Sequence, residues 1–260
     1  MSDELLSRAD GAAWRITIAH PERRNALTPE LARRIAGELD RVAASGTARI
    51  VLLEGAGGHF CAGLDLRWLA SLDRTLTFDE LRSGLRDFQS VPLAIAQSPL
   101  PVIALIRGTA AGFGVDVAAA CDIRIAGASA SFISAFARMG LVPDGGSTWS
   151  LGQLIGHGAA LRFLLSGEAL DAAAALRLGL VSEVVDDATL DARAAELVAA
   201  LAANAAGSLS AIKRLARAEF VRGLERALLD EEAAQLVALQ GAEFQQRLRA
   251  FLARSTERTT

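Results

Sequence analysis

The sequence predicts an α/β fold with a C-terminal helical region, and three features of the chain indicate it. Residues 50–53 and 101–106 are short apolar runs bounded by turn residues, which is the pattern of buried strands. Each run leads into a glycine-rich turn and then an apolar stretch, the arrangement with which α/β folds present backbone N–H groups to a ligand. From Ser147 onward the pattern is mostly helical. We therefore expect one core domain over residues 1–200 and a helical region over 201–260 that serves packing or oligomerisation.

The first predicted elements are a strand and a helix. Residues 14–18 alternate apolar and polar side chains as a half-buried strand does, and Pro21 lies just beyond their end. Thr28 suits the N-cap of the helix that follows, and Gly46 is placed to end it.

The later elements are mainly helices. Apolar side chains recur on one helical face from Phe78 to Phe88, and Pro92 is expected to kink or end this helix. A short strand is expected over residues 181–185. Further helices are predicted over residues 149–155, 159–165, 171–178, 190–201, 209–220 and 224–251.

The composition excludes several classes of protein. Hydrophobic residues make up 52% of the chain and charged residues 22%, which is globular composition and not that of a disordered or coiled-coil chain. The 27 Lys and Arg and the 30 Asp and Glu residues are interspersed, and the net charge of -3 argues against a nucleic-acid partner. Two distant cysteines and an acidic N-terminus favour the cytoplasm. No uninterrupted apolar run reaches about 18 residues, so no membrane span is expected.

Motifs for three other kinds of chemistry are missing from the sequence. The G-x-S-x-G elbow of nucleophilic hydrolases does not occur. His20, His59 and His157 lie in unrelated contexts, and neither H-E-x-x-H nor C-x-x-C occurs, so no metal site is expected. The GFG triplet at 112–114 follows a strand as a dinucleotide fingerprint would, but Val117 occupies the third glycine position.

After these exclusions, the remaining candidates for a functional site are two glycine-rich turns and one carboxylate. They lie in GAGGHFCAGLDL (55–66), RGTAAGFGVDVAAACDIRIA (107–126) and FISAFARMGLVPDGGSTW (132–149). With PERRNAL (21–27) and LSGEALDAAAALRLGLVSEVV (165–185), these segments resemble the crotonase, or enoyl-CoA hydratase/isomerase, superfamily over nearly the whole chain. The resemblance implies a crotonase-like core of repeated ββα units, an acyl-CoA thioester as substrate with no separate cofactor, and a homotrimer or hexamer.

The resemblance also implies an oxyanion hole made of two backbone N–H groups, those of Leu64 and Phe113. Fixed amides hold the thioester carbonyl as it becomes an enolate, and losing one such donor typically costs about 3 to 4 kcal/mol of barrier. The family usually has glycine where Phe113 stands. The amide survives this change, but a positive φ would strain phenylalanine. An ordinary backbone and a displaced donor are both compatible with the sequence, as is a purely structural role for the glycines as tight turns.

The acidic residues favour isomerisation over hydration. Hydratases of the family use two glutamates, and residue-by-residue transfer places the first at Asp116 and the second at Phe136, which cannot titrate. The run from Pro143 to Gly146 resembles the isomerase branch, in which an aspartate at the Asp144 position acts as base and acid. Without the resemblance, Asp144 is interpreted as a turn residue and Asp116 as an acid that offsets a helix dipole. Trp149 and Phe136 are expected in the substrate pocket.

CoA is expected to bind at a further set of positions. The resemblance implies that the NAL segment and the first glycine turn cradle the nucleotide, through Arg24, Ala26, Leu27, Cys61 and Ala62. Lys213, the only lysine in the sequence, is expected either to reach the 3′-phosphate or to be a solvated charge on a helix face.

We therefore expect an enoyl-CoA isomerase. The alternative enzyme is an enoyl-CoA hydratase that uses Asp116 or Asp144, and formation of 3-hydroxyacyl-CoA would distinguish it. The alternative from another class is an acyl-CoA-binding homologue without catalysis, which Phe113 and Phe136 favour.

Overall fold

The computed structural model describes residues 4–72 and 76–257, which form two β-sheets surrounded by helices. The strands are β1 (Leu5–Asp10), β2 (Ala13–Ile18), β3 (Ile50–Gly55), β4 (Val102–Ile106), β5 (Thr109–Ala111), β6 (Ile123–Gly127), β7 (Ser131–Ile133), β8 (Ala169–Asp171) and β9 (Glu183–Val185). The helices are α1 (Pro29–Ser45), α2 (Leu66–Ala70), α3 (Phe78–Gln97), α4 (Phe113–Ala120), α5 (Phe136–Met139), α6 (Ser147–Ile155), α7 (His157–Ser166), α8 (Ala172–Leu178), α9 (Leu190–Ala202), α10 (Ala206–Gln240) and α11 (Ala242–Glu257). The predicted α/β class with a C-terminal helical region is confirmed.

The larger sheet has the strand order β1-β2-β3-β4-β6-β9. β1 pairs antiparallel with β2, and the neighbouring pairs from β2 to β9 are parallel. Successive residues of a strand point to opposite faces, so Val51 and Leu53 join the core that contains α1, while Ile50 and Leu52 pack with α9. Helices therefore cover both faces, and for this reason β4 is apolar and buried along its whole length.

The smaller sheet, in the order β5-β7-β8, carries the second glycine turn. β5 follows β4 after Gly108 and pairs parallel with β7. Ala110 of β5 also forms a parallel bridge with Cys61, and Leu27 forms another with Leu64. The Cys61–Ala110 bridge joins the first glycine turn to the second, and the Leu27–Leu64 bridge joins the 21–27 segment to the first turn, so the residues of the candidate site come together.

Several predicted elements are confirmed, and the exceptions have local causes. The Thr28 side chain caps α1, and Gly46 ends this helix with a φ of 66°. Of the two alternatives for Pro92, that it kinks or that it ends its helix, the second is excluded because α3 continues to Gln97. Val91 and Pro92 are buried there, and their packing offsets the hydrogen bond that proline cannot donate. Strands β1 and β5 to β8 were not predicted, and three of them have only three residues each.

The C-terminal helices pack on the core of the same chain. The helices predicted over 209–220 and 224–251 are instead α10 and α11, which separate at Gly241. α10 contacts α3 and α6, where Leu224 and Leu228 are buried. In the described part of the chain no single helix is long and apolar enough to cross a membrane. The one pair of segments that passes on length and composition, Asp187–Ala202 with Ala206–Gln240, is bent by 101°.

Candidate active site

The first glycine turn is held by Leu27. The Leu27 N–H donates to Gly63 O at 2.7 Å, and the Asp65 N–H donates to Leu27 O at 2.9 Å. In a parallel bridge of this kind the residue between the two bonded positions points its own N–H away from the partner. The Leu64 amide is therefore directed away from Leu27.

In the second glycine turn the residue with a positive φ is Gly112 and not Phe113. Gly112 has φ 51° and ψ -123°, whereas Phe113 begins α4 and is not among the residues with positive φ. The two turns touch, because a Cβ on Gly63 would lie 3.1 Å from Phe113 N and 2.8 Å from Ala111 O. Of the two geometries left open by the sequence, the structure has the ordinary backbone at Phe113.

Two backbone amides are free to bind a ligand at this junction. Among the described residues, neither Leu64 N nor Phe113 N has a hydrogen-bond acceptor. Both residues line one cavity of about 420 Å³. Paired backbone donors at a cavity wall can stabilise negative charge on a ligand oxygen without rearrangement.

The cavity is mostly apolar, with a carboxyl group in its wall. The hydrophobic and aromatic lining residues are Pro29, Ala62, Leu64, Leu66, Trp68, Leu69, Leu72, Leu76, Leu81, Leu85, Phe88, Phe113, Ala135, Phe136, Met139, Leu141 and Leu239. Asp144 and Gln235 lie beside them, and Glu80, Ser83 and Asp87 of α3 complete the polar part of the lining. Such a site accommodates an apolar group and offers it few hydrogen-bonding partners.

Asp144 has the environment of an acid–base group. Its Oδ2 accepts a hydrogen bond from Gln235 Nε2 at 3.0 Å, and its buried Oδ1 has no partner among the described residues. Burial raises the pKa of Asp144 to about 7; the Gln235 hydrogen bond acts in the opposite direction, and the charge of Glu231 adds to the increase. The carboxyl group can therefore exchange a proton near neutral pH.

Asp116 lies behind the Asp144 loop and not in the cavity wall. Its side chain is fully buried, and the donors that favour its ionised form are the Ser147 hydroxyl and the Gly145 N–H. A Cβ on Gly145 would lie 2.6 Å from Asp116 Oδ2, so the loop passes directly over this acid. Burial, and then the charges of Glu231 and Asp144, raise the pKa of Asp116 well above its ordinary value. Asp116 does not line the cavity, and direct catalysis by this residue stays a prediction.

Two residues of α10 that the sequence analysis did not select complete the site. Glu231 accepts hydrogen bonds from Gly146 N at 2.7 Å and Thr148 N at 3.0 Å, and Gln235 contacts Asp144. A signal for them exists in the sequence. From position 224 onward the buried residues of α10 are Leu224, Leu228, Glu231, Glu232, Gln235, Leu236 and Leu239, so Glu231 and Gln235 are polar residues within a mostly apolar face.

Of the two predicted pocket residues, one is present in the cavity wall. Phe136 lines the cavity, and its Cζ lies 3.9 Å from the position of a Cβ on Gly112. The Trp149 prediction is wrong. The Trp149 Nε1–H donates to Phe220 O at 3.1 Å, and its ring packs against Gly223 of α10, where it belongs to the helix interface.

The predicted nucleotide segment is present but mostly buried. Ala62 N donates to Arg24 O at 3.0 Å, and Arg24, with a φ of 52°, is exposed. Ala26, Leu27 and Cys61 are buried, so their side chains are not available to a ligand, and the available surface is that of Arg24 and Ala62.

Asn25 fixes this segment, a role that the sequence analysis missed. Its Nδ2 donates to Ala56 O at 2.8 Å and to His59 O at 2.7 Å, and its Oδ1 accepts from His20 N at 2.9 Å. These three bonds secure the segment against the first glycine turn.

Lys213 occupies a structural position, which corrects the prediction that it reaches the 3′-phosphate. Its ammonium group contacts Asp122 Oδ2 at 2.7 Å, Ile95 O at 2.9 Å and Leu100 O at 2.9 Å. An ammonium has three donors, and all three are used. The side chain is buried and does not line the cavity that contains Asp144, so it is not a solvated charge either.

Comparisons with known proteins agree on one family. The family model described as "Enoyl-CoA hydratase/isomerase" matches residues 8–258. A 1,2-epoxyphenylacetyl-CoA isomerase of Escherichia coli is 35% identical over 262 residues, covering 100% of this chain and 99% of that protein. A probable enoyl-CoA hydratase of Rhodobacter capsulatus is 35% identical over 91% of this chain and 90% of its own length. The crystal structure of an enoyl-CoA hydratase from Bacillus halodurans has a TM-score of 0.89 at 27% identity, covering 95% of this chain and 100% of that one.

The assignment of Lys213 can be tested with Lys213→Met. Removing one member of a buried ion pair typically costs about 3 to 5 kcal/mol, and we expect the lower value because Arg217 Nη1 remains 3.4 Å from Asp122 Oδ1. Urea denaturation measures the free energy of unfolding, and KM for an acyl-CoA should not change. Arg214→Met, at an exposed position on the same helix, is the matched control. A tenfold rise in KM with unchanged stability would restore the phosphate assignment.

Proposed function

The chain belongs to the enoyl-CoA hydratase/isomerase family, and we propose that within this enzyme family it isomerises an enoyl-CoA by moving the double bond. One observation carries the proposal. Asp144 is a buried carboxyl with a pKa of about 7 and one unpaired oxygen, in the wall of an apolar cavity that also presents the amides of Leu64 and Phe113. The PDGG run that holds it supports the isomerase branch.

In the proposed reaction Asp144 moves one proton. The thioester carbonyl of a 3-enoyl-CoA accepts hydrogen bonds from the Leu64 and Phe113 amides. Asp144 Oδ1 removes a proton from the α carbon, the electron pair of that C–H bond forms the enolate, and the negative charge on its oxygen is stabilised by the two amides. The protonated Asp144 then returns the proton to the γ carbon. A 2-enoyl-CoA results, and Asp144 is ionised again.

The same cavity is poorly suited to hydration. Addition of water requires two acceptors that orient the nucleophile, and Phe136 supplies an apolar ring where the second would stand. Asp116 is covered by the Gly145 segment and does not compensate for it. A carboxyl group that shuttles a proton needs no ordered water, which favours isomerisation over hydration at this site.

The acyl group is proposed to be apolar and ring-derived. Phe88 and Phe113 meet edge to face with centroids 4.9 Å apart, and Trp68 and Phe136 add further aromatic surface to the cavity. Aromatic walls pack well against planar groups. The Escherichia coli relative, named for an epoxyphenylacetyl-CoA, supports the same choice.

The proposed role of Asp144 as the base and acid is tested by Asp144→Asn. The substitution keeps the size of the side chain but removes the titratable group, so we expect kcat to fall by at least about 100-fold while KM stays within about threefold. In the unaltered protein kcat/KM should rise with pH up to about 7, because the ionised carboxylate is the base. Asp40→Asn, at an exposed position on α1, controls for the loss of one charge. Turnover that Asp144→Asn leaves unchanged would refute the assignment.

The type of reaction is tested by product analysis with 2-enoyl-CoA and 3-enoyl-CoA substrates. We expect the two isomers to interconvert without rapid formation of 3-hydroxyacyl-CoA. Phe136→Glu should add some hydration by supplying a second acid, whereas Phe136→Gln, which has similar size and cannot titrate, should not. Fast hydration by the unaltered protein without movement of the double bond would establish the hydratase instead.

A further inference from the structure

Gln235 of α10 connects the proposed base to the backbone of its own loop. The side chain is 2% exposed. Its Oε1 accepts a hydrogen bond from Val142 N at 3.1 Å, and its Nε2 donates one to Asp144 Oδ2 at 3.0 Å. The Gln235 amide therefore connects the backbone of Val142 to the carboxyl group of Asp144, two residues later in the same loop.

The orientation of this amide is fixed by the chemistry of its partners. A backbone N–H only donates, so Val142 must face the oxygen of the Gln235 amide, and the nitrogen must face Asp144. Asp144 Oδ2 is thereby occupied. Oδ1, which has no partner among the described residues, is the oxygen available to carry a proton.

The other titratable groups around Asp144 are acids. Asp116 lies behind it on α4, Glu231 lies on α10, and Glu80 and Asp87 of α3 line the same cavity. The charge of Glu231 opposes ionisation of the Asp144 carboxyl group. The Gln235 N–H is the side-chain donor that favours the ionised form.

We propose that Gln235 is a positioning residue for proton transfer, which holds Asp144 with Oδ1 left without a hydrogen-bond partner and stabilises its ionised, basic form. The proposal rests on the proposed role of Asp144. Glu231 supports the same arrangement, because it binds Gly146 N and Thr148 N at the other end of the loop. One face of α10 thus fixes the loop on both sides of the carboxyl group.

Gln235→Leu removes the donor at similar side-chain volume. The pKa of Asp144 should then rise, and the acidic limb of the pH profile of kcat should move upward by about one pH unit, because a hydrogen bond to an ionised group changes its ionisation roughly tenfold. The loss of kcat should therefore be larger at pH 6 than at pH 9, with KM within about threefold. Gln235→Glu, which matches the shape of glutamine, replaces the donor by another acid and should move the limb further in the same direction.

The matched control is Gln89→Leu. Gln89 is also a buried glutamine that bonds to α10, through Nε2 to Leu228 O at 2.8 Å, but it does not line the cavity. Its substitution should lower stability without moving the pH limb. An equal movement of the limb in Gln89→Leu, or no movement in either Gln235 variant, would overturn the proposal.

A second measurement does not depend on turnover. Infrared titration of the Asp144 carboxyl, with its band assigned by difference from Asp144→Asn, reports the ionisation directly in the unaltered protein and in Gln235→Leu. If the unaltered protein does not isomerise enoyl-CoA, the proposed function fails, but this titration still decides the role of Gln235. The same titration midpoint in both proteins would refute that role.

Discussion

The site depends on the burial of one carboxyl group, Asp144, in an apolar cavity. A carboxylate that leaves water loses solvation, so burial disfavours its ionised form and raises the pKa to about 7. Within the described residues it has a hydrogen bond from Gln235 but no ion pair with a cation. An arginine in the place of Gln235 would keep the carboxylate ionised and make it a weak base. The neutral donor leaves Asp144 able to accept and to return a proton near pH 7.

The scaffold brings three distant parts of the chain to this group. β3 and β4 are neighbouring parallel strands, so the turns that follow them meet at one edge of the sheet. Gly63 permits the close contact of these turns, and Gly112 takes the positive φ that lets Phe113 begin α4 with an ordinary backbone. α10 packs on α3 and α6 and supplies Glu231 and Gln235. The C-terminal region is consequently part of the site as well as a packing element.

The sequence predicts those features that local chemistry determines. The capping of α1 by Thr28, the buried strands and the positions of the two glycine turns follow from short-range patterns, and the structure has them. The roles of Lys213 and Trp149 were assigned wrongly because a helix face does not reveal which partner covers it. Asp122 and Phe220 become neighbours only after the chain folds. Gln235 lies about 90 residues from its carboxyl partner, and such a pairing has no local signal beyond a polar residue in an apolar stripe.

In the proposed reaction one carboxyl group removes and returns the same proton in an apolar cavity. Mass spectrometry of the 2-enoyl-CoA formed from 3-enoyl-CoA in deuterated water, in a single turnover, tests this claim most directly. We predict that part of the product keeps the transferred hydrogen and contains no deuterium, because Asp144 Oδ1 is buried. A solvent deuterium in every product molecule would contradict the account, since the proton would then come from water or from another acid.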